Sequence, residues 1–147
     1  MFKICKTFRF EAAHHLPITN GKCKNVHGHN YKVKVYIEAE TPHQYGPDTG
    51  MIFDFHVLDK IAKNAFLKIY DHKNLNEIQV FRDSVPLVEL TEQDKLLYPT
   101  AELIAADIFL RMKHELSKLN ELCCSIFYNL DAIRVYENDD CWAEYSE

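Results

Sequence analysis

The sequence predicts an α+β domain: an antiparallel sheet in the order ββααββ, with two helices on one face. Three observations predict it. Two runs, Phe2 to Ala13 and His27 to Ala39, alternate apolar and polar residues with period two. Two later runs, from Phe55 and from Leu103, carry apolar residues at helical spacing. A last pair, Ile126 to Tyr136 and Cys141 to Tyr145, flanks the turn residues Asn138-Asp139-Asp140.

In the first strand Phe2, Ile4, Phe8, Phe10 and Ala12 share one face; Lys3, Cys5, Thr7, Arg9 and Glu11 share the other. In the second, Tyr31, Val33, Val35 and Ile37 oppose Lys32, Lys34, Tyr36 and Glu38. The segment from Pro17 to Val26 is a long polar hairpin connection. Phe55, Leu58, Ala62, Ala65 and Ile69 make the first helical face, and Asp54 can cap it. A loop from Asp71 to Tyr98 follows. Pro99-Thr100 opens the second helix, with Glu102 in its first turn, where a carboxylate suits the dipole. Leu103, Ile104, Ile108, Met112, Leu116 and Leu119 carry its apolar side. Four strands leave open edges, which another copy of the chain can pair.

The chain has 147 residues, room for one domain spanning 1–147. With 17 Lys+Arg against 22 Asp+Glu, the formal charge is −5, which argues against a general nucleic-acid or anionic-membrane binder. No glycine pattern of dinucleotide or nucleoside-triphosphate sites occurs, and no G-x-S-x-G. No apolar run is long enough to span a bilayer, and Lys3, Lys6 and Arg9 interrupt the first apolar stretch, which does not suit a signal peptide. Five cysteines without C-x-x-C read as reduced thiols in a cytoplasmic protein.

Eight histidines carry the chemical signal. His27-Gly28-His29 opens the second strand, so both imidazoles point to one face, in phase with Val33, Val35 and Ile37. Alternation in the first strand puts His14 on the Phe8–Phe10–Ala12 face and His15 on the other. If the two strands pair, His14 approaches His27 and His29, and three imidazoles with an open fourth position describe a catalytic zinc site. Cys23, four residues before His27, is either a fourth ligand or a nearby catalytic base. Asp71-His72 is either a helix-end feature or a carboxylate-oriented acid/base. His43, His56 and His114 have no partner by spacing and read as surface residues.

Six motifs now come together: F-E-A-A-H at Phe10–His14, C-x-x-x-H-G-H at Cys23–His29, G-M-I-F-D-F at Gly50–Phe55, D-H-x-x-L-N at Asp71–Asn76, P-T-A-E at Pro99–Glu102 and V-Y-E at Val135–Glu137. In this order, and over nearly the whole chain, they resemble the 6-pyruvoyltetrahydropterin synthase / 6-carboxytetrahydropterin synthase family. The resemblance implies a tunnelling fold (T-fold), with sheets of several subunits joined into a barrel. It implies a homohexamer, a dimer of trimers, with active sites between subunits. It implies Zn²⁺ on His14, His27 and His29, and Cys23 as a catalytic thiol rather than a ligand. Asp71 and His72 match relay partners supplied across an interface. Glu137 matches the carboxylate that anchors the pterin; Thr100 and Glu102 match a motif near its pocket.

The implied substrate is 7,8-dihydroneopterin triphosphate. The four-residue step from Cys23 to His27, with Asp54-Phe55, is similar to the 6-carboxy branch of queuosine biosynthesis, whose reaction releases acetaldehyde and triphosphate. The pyruvoyl-forming branch, which has a longer run before its H-G-H, is the competing activity. A zinc- or pterin-binding module without turnover is the competitor of another class. Lys22, Lys24 and Arg9 are candidates for triphosphate contacts. Two features depart from the family: His15 stands where Arg is common, and the segment from about 78 to 97 is longer than in compact members.

Overall fold

Alternation and helical spacing translate directly into the architecture. The computed structural model describes residues 1–17, 19–78, 98–122 and 127–147. The expected long segment from 78 to 97 lies, apart from Ile78, outside the described residues, as does the expected start of the last hairpin at Ile126.

Strands β1 (Phe2–His14) and β2 (His27–Ala39) form an antiparallel hairpin that keeps register from Phe2 opposite Ala39 to His14 opposite His27. The helical segment α1 (Phe55–Ala62) begins at Asp54, whose carboxylate accepts from the His56 amide at 2.7 Å, as the capping expectation required. A π-helical turn, Lys63–Leu67, carries the rod on into α2 (Lys68–Tyr70) and seats Phe66 edge-on against Phe8, with ring centroids 5.8 Å apart. The second long helix, α3 (Ala101–Leu122), begins after Thr100, the residue whose hydroxyl accepts from the Leu103 amide at 3.4 Å. Strands β4 (Asn129–Tyr136) and β5 (Trp142–Tyr145) make the final hairpin.

The region expected as loop after Asp71 holds two ordered pieces. A two-residue strand, β3 (Lys73–Asn74), runs parallel to β1 at Ala12 and Ala13, and a 3-10 turn follows at Leu75–Glu77. Two residues give no periodicity to detect, which is why the sequence predicts four strands where the described residues form five. The sheet order is β3-β1-β2-β4-β5.

One face of the sheet packs on the helices. Phe8, Phe10, Tyr31, Val33, Val35 and Ile37 meet Leu58, Phe66, Ile104, Ile108 and Met112 there, all buried. A bulge between Tyr36 and Ile37 breaks the β2–β4 register, with Tyr36 facing Ala132 and Ile37 facing Leu130. The slip puts Leu130 and Ile133 on the same core side although they stand an odd number of positions apart. Among the described residues the other face carries no helix, and it is laced with charge. Lys3 pairs with Asp131 at 2.6 Å, and Arg134 pairs with Glu144 at 2.8 Å while lying over the Trp142 ring. Among the described residues no helix is long and apolar enough to cross a membrane.

Asp107 of α3 is buried inside this core, against the rule for carboxylates. Its Oδ2 accepts from the Tyr70 hydroxyl and from Arg111 Nε at 2.7 Å, while Oδ1 has no partner among the described residues. Burial raises the Asp107 carboxyl above the usual carboxylate range, against the opposing pull of Arg111. The pair ties the first helical rod to α3. Asp107→Ala removes an acceptor shared by two donors and is expected to cost about 2 kcal/mol of unfolding free energy. Urea denaturation measures it, and a midpoint equal to wild type would refute this role.

Candidate metal centre and catalytic residues

The hairpin register builds the site. His14 stands directly opposite His27, and His29 stands opposite Ala12, so all three imidazoles leave the same face at the same end of the sheet. His14 Nε2 lies 3.1 Å from His27 Nε2 and 3.1 Å from His29 Nε2. The three ligand atoms fall within 4.8 Å of one another. Nitrogens around a tetrahedral zinc at about 2.0–2.1 Å are spaced ~3.4 Å apart, so the set fits such an ion with little movement.

The outer nitrogens decide the tautomers. His14 Nδ1 lies 2.7 Å from the Pro99 carbonyl, and His27 Nδ1 lies 2.8 Å from the Asn25 carbonyl. A carbonyl only accepts, so each Nδ1 must carry the proton and each Nε2 presents a lone pair. For His29 a backbone hydrogen bond with Glu137 plays the corresponding part. Lone pairs 3.1 Å apart repel unless a cation lies between them. The donor set, geometry and tautomers therefore fit a divalent metal of the zinc class.

Burial sets the electrostatics. His14 is 1% exposed. Burial lowers the pKa of both His14 and His29, with the Pro99 contact and the Glu137 carboxylate pulling the other way. Protonation of these rings thus opposes folding. In the metal-free protein their contribution is intact above the ordinary imidazole value of about 6.5 and is lost as pH falls below it. Tyr31 closes the floor, its ring edge-on to His29 at 5.4 Å and to His14 at 5.9 Å. Burial raises its phenol far above the ordinary range, so it stays neutral.

Glu137 reaches the triad: its Oε1 lies 3.8 Å from His14 Nε2. It also lines a 620 Å³ cavity with His29, Asn30, Lys32 and Arg9, which places one triphosphate candidate, Arg9, beside the centre. Cys23 is exposed on the 3-10 turn Lys22–Lys24, in the connection joining His14 to His27. Its carbonyl accepts from the Leu16 amide at 2.7 Å, which closes the loop. Among the described residues the group able to hold a metal is the histidine triad, without Cys23.

Thr100 serves as the helix cap, and Glu102 sits in the first turn of α3. Asp71 and His72 are not brought to the triad by this chain. They lie at the edge of β1 beside β3, with His72 Nδ1 3.0 Å from Asp71 Oδ1; the Glu11 amide donates to Asp71 Oδ1, and the His72 amide donates to the Glu11 carbonyl. Asp71 is held below the usual carboxylate range, first by the Glu11 amide and then by His72.

Several supporting residues escape a reading by parity. Pro99 and Asn25 act through carbonyls, which have no side-chain signature. Asn76 clamps His15, giving and receiving main-chain hydrogen bonds of 2.8 Å each; its signal is the last letter of D-H-x-x-L-N. His43, expected at the surface, is half-buried and 2.9 Å from the Tyr128 hydroxyl.

Fold and site define an α+β enzyme domain built around a three-histidine cluster able to hold a metal at the end of a long β-hairpin. Residues 3–147 match the family model described as 6-pyruvoyl tetrahydropterin synthase. The chain is 35% identical to a Haemophilus influenzae protein named 6-carboxy-5,6,7,8-tetrahydropterin synthase, over 100% of both chains. It is 38% identical to the Synechocystis protein of that name, covering 77% of this chain and 76% of the other. The Caenorhabditis elegans 6-pyruvoyl tetrahydropterin synthase superposes with a TM-score of 0.71 at 25% identity, over 99% of this chain and 95% of that one. The Plasmodium vivax structure of that name matches in fold, with a TM-score of 0.61 at 16% identity over 99% and 97%. The chain belongs to the 6-pyruvoyl tetrahydropterin synthase family of enzymes and has its T-fold.

His14→Ala is expected to lower affinity for Zn²⁺ at least about 100-fold, read by isothermal titration. Metal-free wild type should lose thermal stability as pH falls below about 6.5, and His14→Ala should lose less. Unchanged zinc stoichiometry in the variant would overturn the assignment of the centre.

Proposed function

We propose that this chain is a zinc-dependent carbon–carbon lyase of the 6-carboxy-5,6,7,8-tetrahydropterin synthase type. It converts 7,8-dihydroneopterin triphosphate to 6-carboxy-5,6,7,8-tetrahydropterin, releasing acetaldehyde and triphosphate, as a step toward queuosine and related 7-deazapurines. The observation that carries the reading is the convergence of three imidazole Nε2 atoms beside the Glu137 carboxylate. The relatives named for the 6-carboxy product and the Cys23–His27 spacing favour this branch over the pyruvoyl-forming one.

His14, His27 and His29 would hold the zinc, which supplies Lewis-acid polarisation of a substrate side-chain oxygen. Glu137 binds the pterin, since a carboxylate can accept from the ring N3–H and the 2-amino group together. Cys23, as thiolate, takes a proton from the substrate side chain. His72, oriented through Nδ1 by Asp71, exchanges that proton as the partner acid/base. The Cys23 loop and the Asp71–His72 pair sit at different places in one chain, so His72 reaches Cys23 from a neighbouring subunit. That requires the homohexameric barrel, a dimer of trimers, and the open β-edges supply surfaces for it. Thr100 and Glu102 border the pterin pocket, with Thr100 also fixing Pro99 behind His14. Free Cys5, Cys23 and Cys141 suit the reducing cytoplasm.

Mass spectrometry of the products from zinc-loaded protein tests the reading. Acetaldehyde with 6-carboxytetrahydropterin is expected; a pyruvoyl product would assign the other branch, and no turnover would leave a binding module. Cys23→Ala should lower kcat at least about 100-fold with pterin binding kept, whereas Glu137→Gln should raise KM.

A further inference from the structure

We infer that Glu11 is a positioning residue for His72: its main chain fixes the Asp71–His72 pair and its carboxylate flanks the ring nitrogen that Asp71 does not reach. The inference rests on the proposed role of His72 as a proton carrier.

Three contacts from one residue carry it. The Glu11 amide donates to Asp71 Oδ1 at 3.1 Å. The His72 amide donates to the Glu11 carbonyl at 2.6 Å. Glu11 Oε2 lies 3.8 Å from His72 Nε2, while Asp71 Oδ1 lies 3.0 Å from Nδ1. The imidazole therefore sits between two carboxylates, one at each nitrogen.

His72 needs such a hold. Its φ of 58° lies in the left-handed region, which a side chain disfavours. The strain is held by the staple that follows along β1: Lys73 and Asn74 pair with Ala12 and Ala13, and Asn76 clamps His15. The segment from Asp71 to Asn76 is thus registered on the strand that carries His14, and Glu11 sets the first rung of that register.

The carboxylate adds what the main chain cannot. When His72 takes a proton, both ring nitrogens carry hydrogen, and Asp71 satisfies one of them. Glu11 stands at the other and counters the new charge. The remaining charged groups near the pair are Asp59, Lys63 and Lys68, which share a 460 Å³ cavity with Asp71 on the helix side, and the exposed Lys73. An ordinary exposed ion pair at this distance is worth little. What sets Glu11 apart is that its backbone holds both Asp71 and His72 while its carboxylate flanks the His72 ring.

Glu11→Ala and Glu11→Gln test it, because both keep the main-chain contacts and so the fold. Ring ¹⁵N spectra of His72, assigned by difference against His72→Gln, should move in Glu11→Ala. In the product assay, Glu11→Ala should lower kcat about tenfold with KM unchanged within about twofold, and Glu11→Gln should fall between it and wild type. Unmoved His72 ring signals in Glu11→Ala, or a raised KM at unchanged kcat, would overturn the inference. A wild-type protein without turnover would sink the lyase reading, and the ring spectra alone would then decide the role of Glu11.

Discussion

His14 faces His27 because Phe2 faces Ala39 and every rung between them holds. Side chains alternate along a strand, so a slip of one residue would turn His27 and His29 to the uncovered face and leave His14 alone. The apolar set of β2 resists that slip. Tyr31, Val33, Val35 and Ile37 are fully buried, and a one-residue shift would carry all four into solvent at a cost of about 1.5–3 kcal/mol each. The histidine triad is thus held in place by hydrophobic burial up to about 30 Å away along the strand.

The second support comes through α3. The apolar stripe of Ile104, Ile108 and Met112 seats this helix on the sheet. Its cap at Thr100 fixes where Pro99 lies, and the Pro99 carbonyl fixes the tautomer of His14. Packing, capping and ligand protonation form one chain of causes. A helix residue with no contact to the metal can therefore change metal affinity by moving one carbonyl.

How much of this was legible in the sequence follows from what each feature requires. Thirteen-residue strands with clean alternation announce themselves, and parity carried His14, rather than His15, onto the face of His27 and His29. The six motifs placed the catalytic candidates, because residue type at fixed spacing is what a motif records. The two-residue β3, the bulge at Tyr36 and Ile37, and the π-helical turn have no period to detect. Asp107 sits on the buried side of a helix, where sequence reasoning expects an apolar residue, and its partners Tyr70 and Arg111 come from two helices. Pro99 and Asn25 contribute main-chain atoms, which every residue has. Glu11 looked like an ordinary polar position of a half-buried strand; its meaning appears only when Asp71 is seen across from it.

Asp71–His72 and the triad divide the strand β1 between them. His14 is on the covered face, while Glu11, three residues earlier, has the parity of the uncovered face and presents its carboxylate to His72. Three residues of strand span about 10 Å, too far for a proton to pass between the two groups without a carrier. The carrier in the proposed chemistry is Cys23, and it rides on the loop that joins the two histidine-bearing strands. In the proposed chemistry the thiol comes to the triad from its own chain and the acid/base partner from a neighbouring copy. In the proposed assembly, pairing the β-edges of two copies would lay one chain's Asp71–His72 pair beside another chain's hairpin end, and edge hydrogen bonding between copies would then complete the active site.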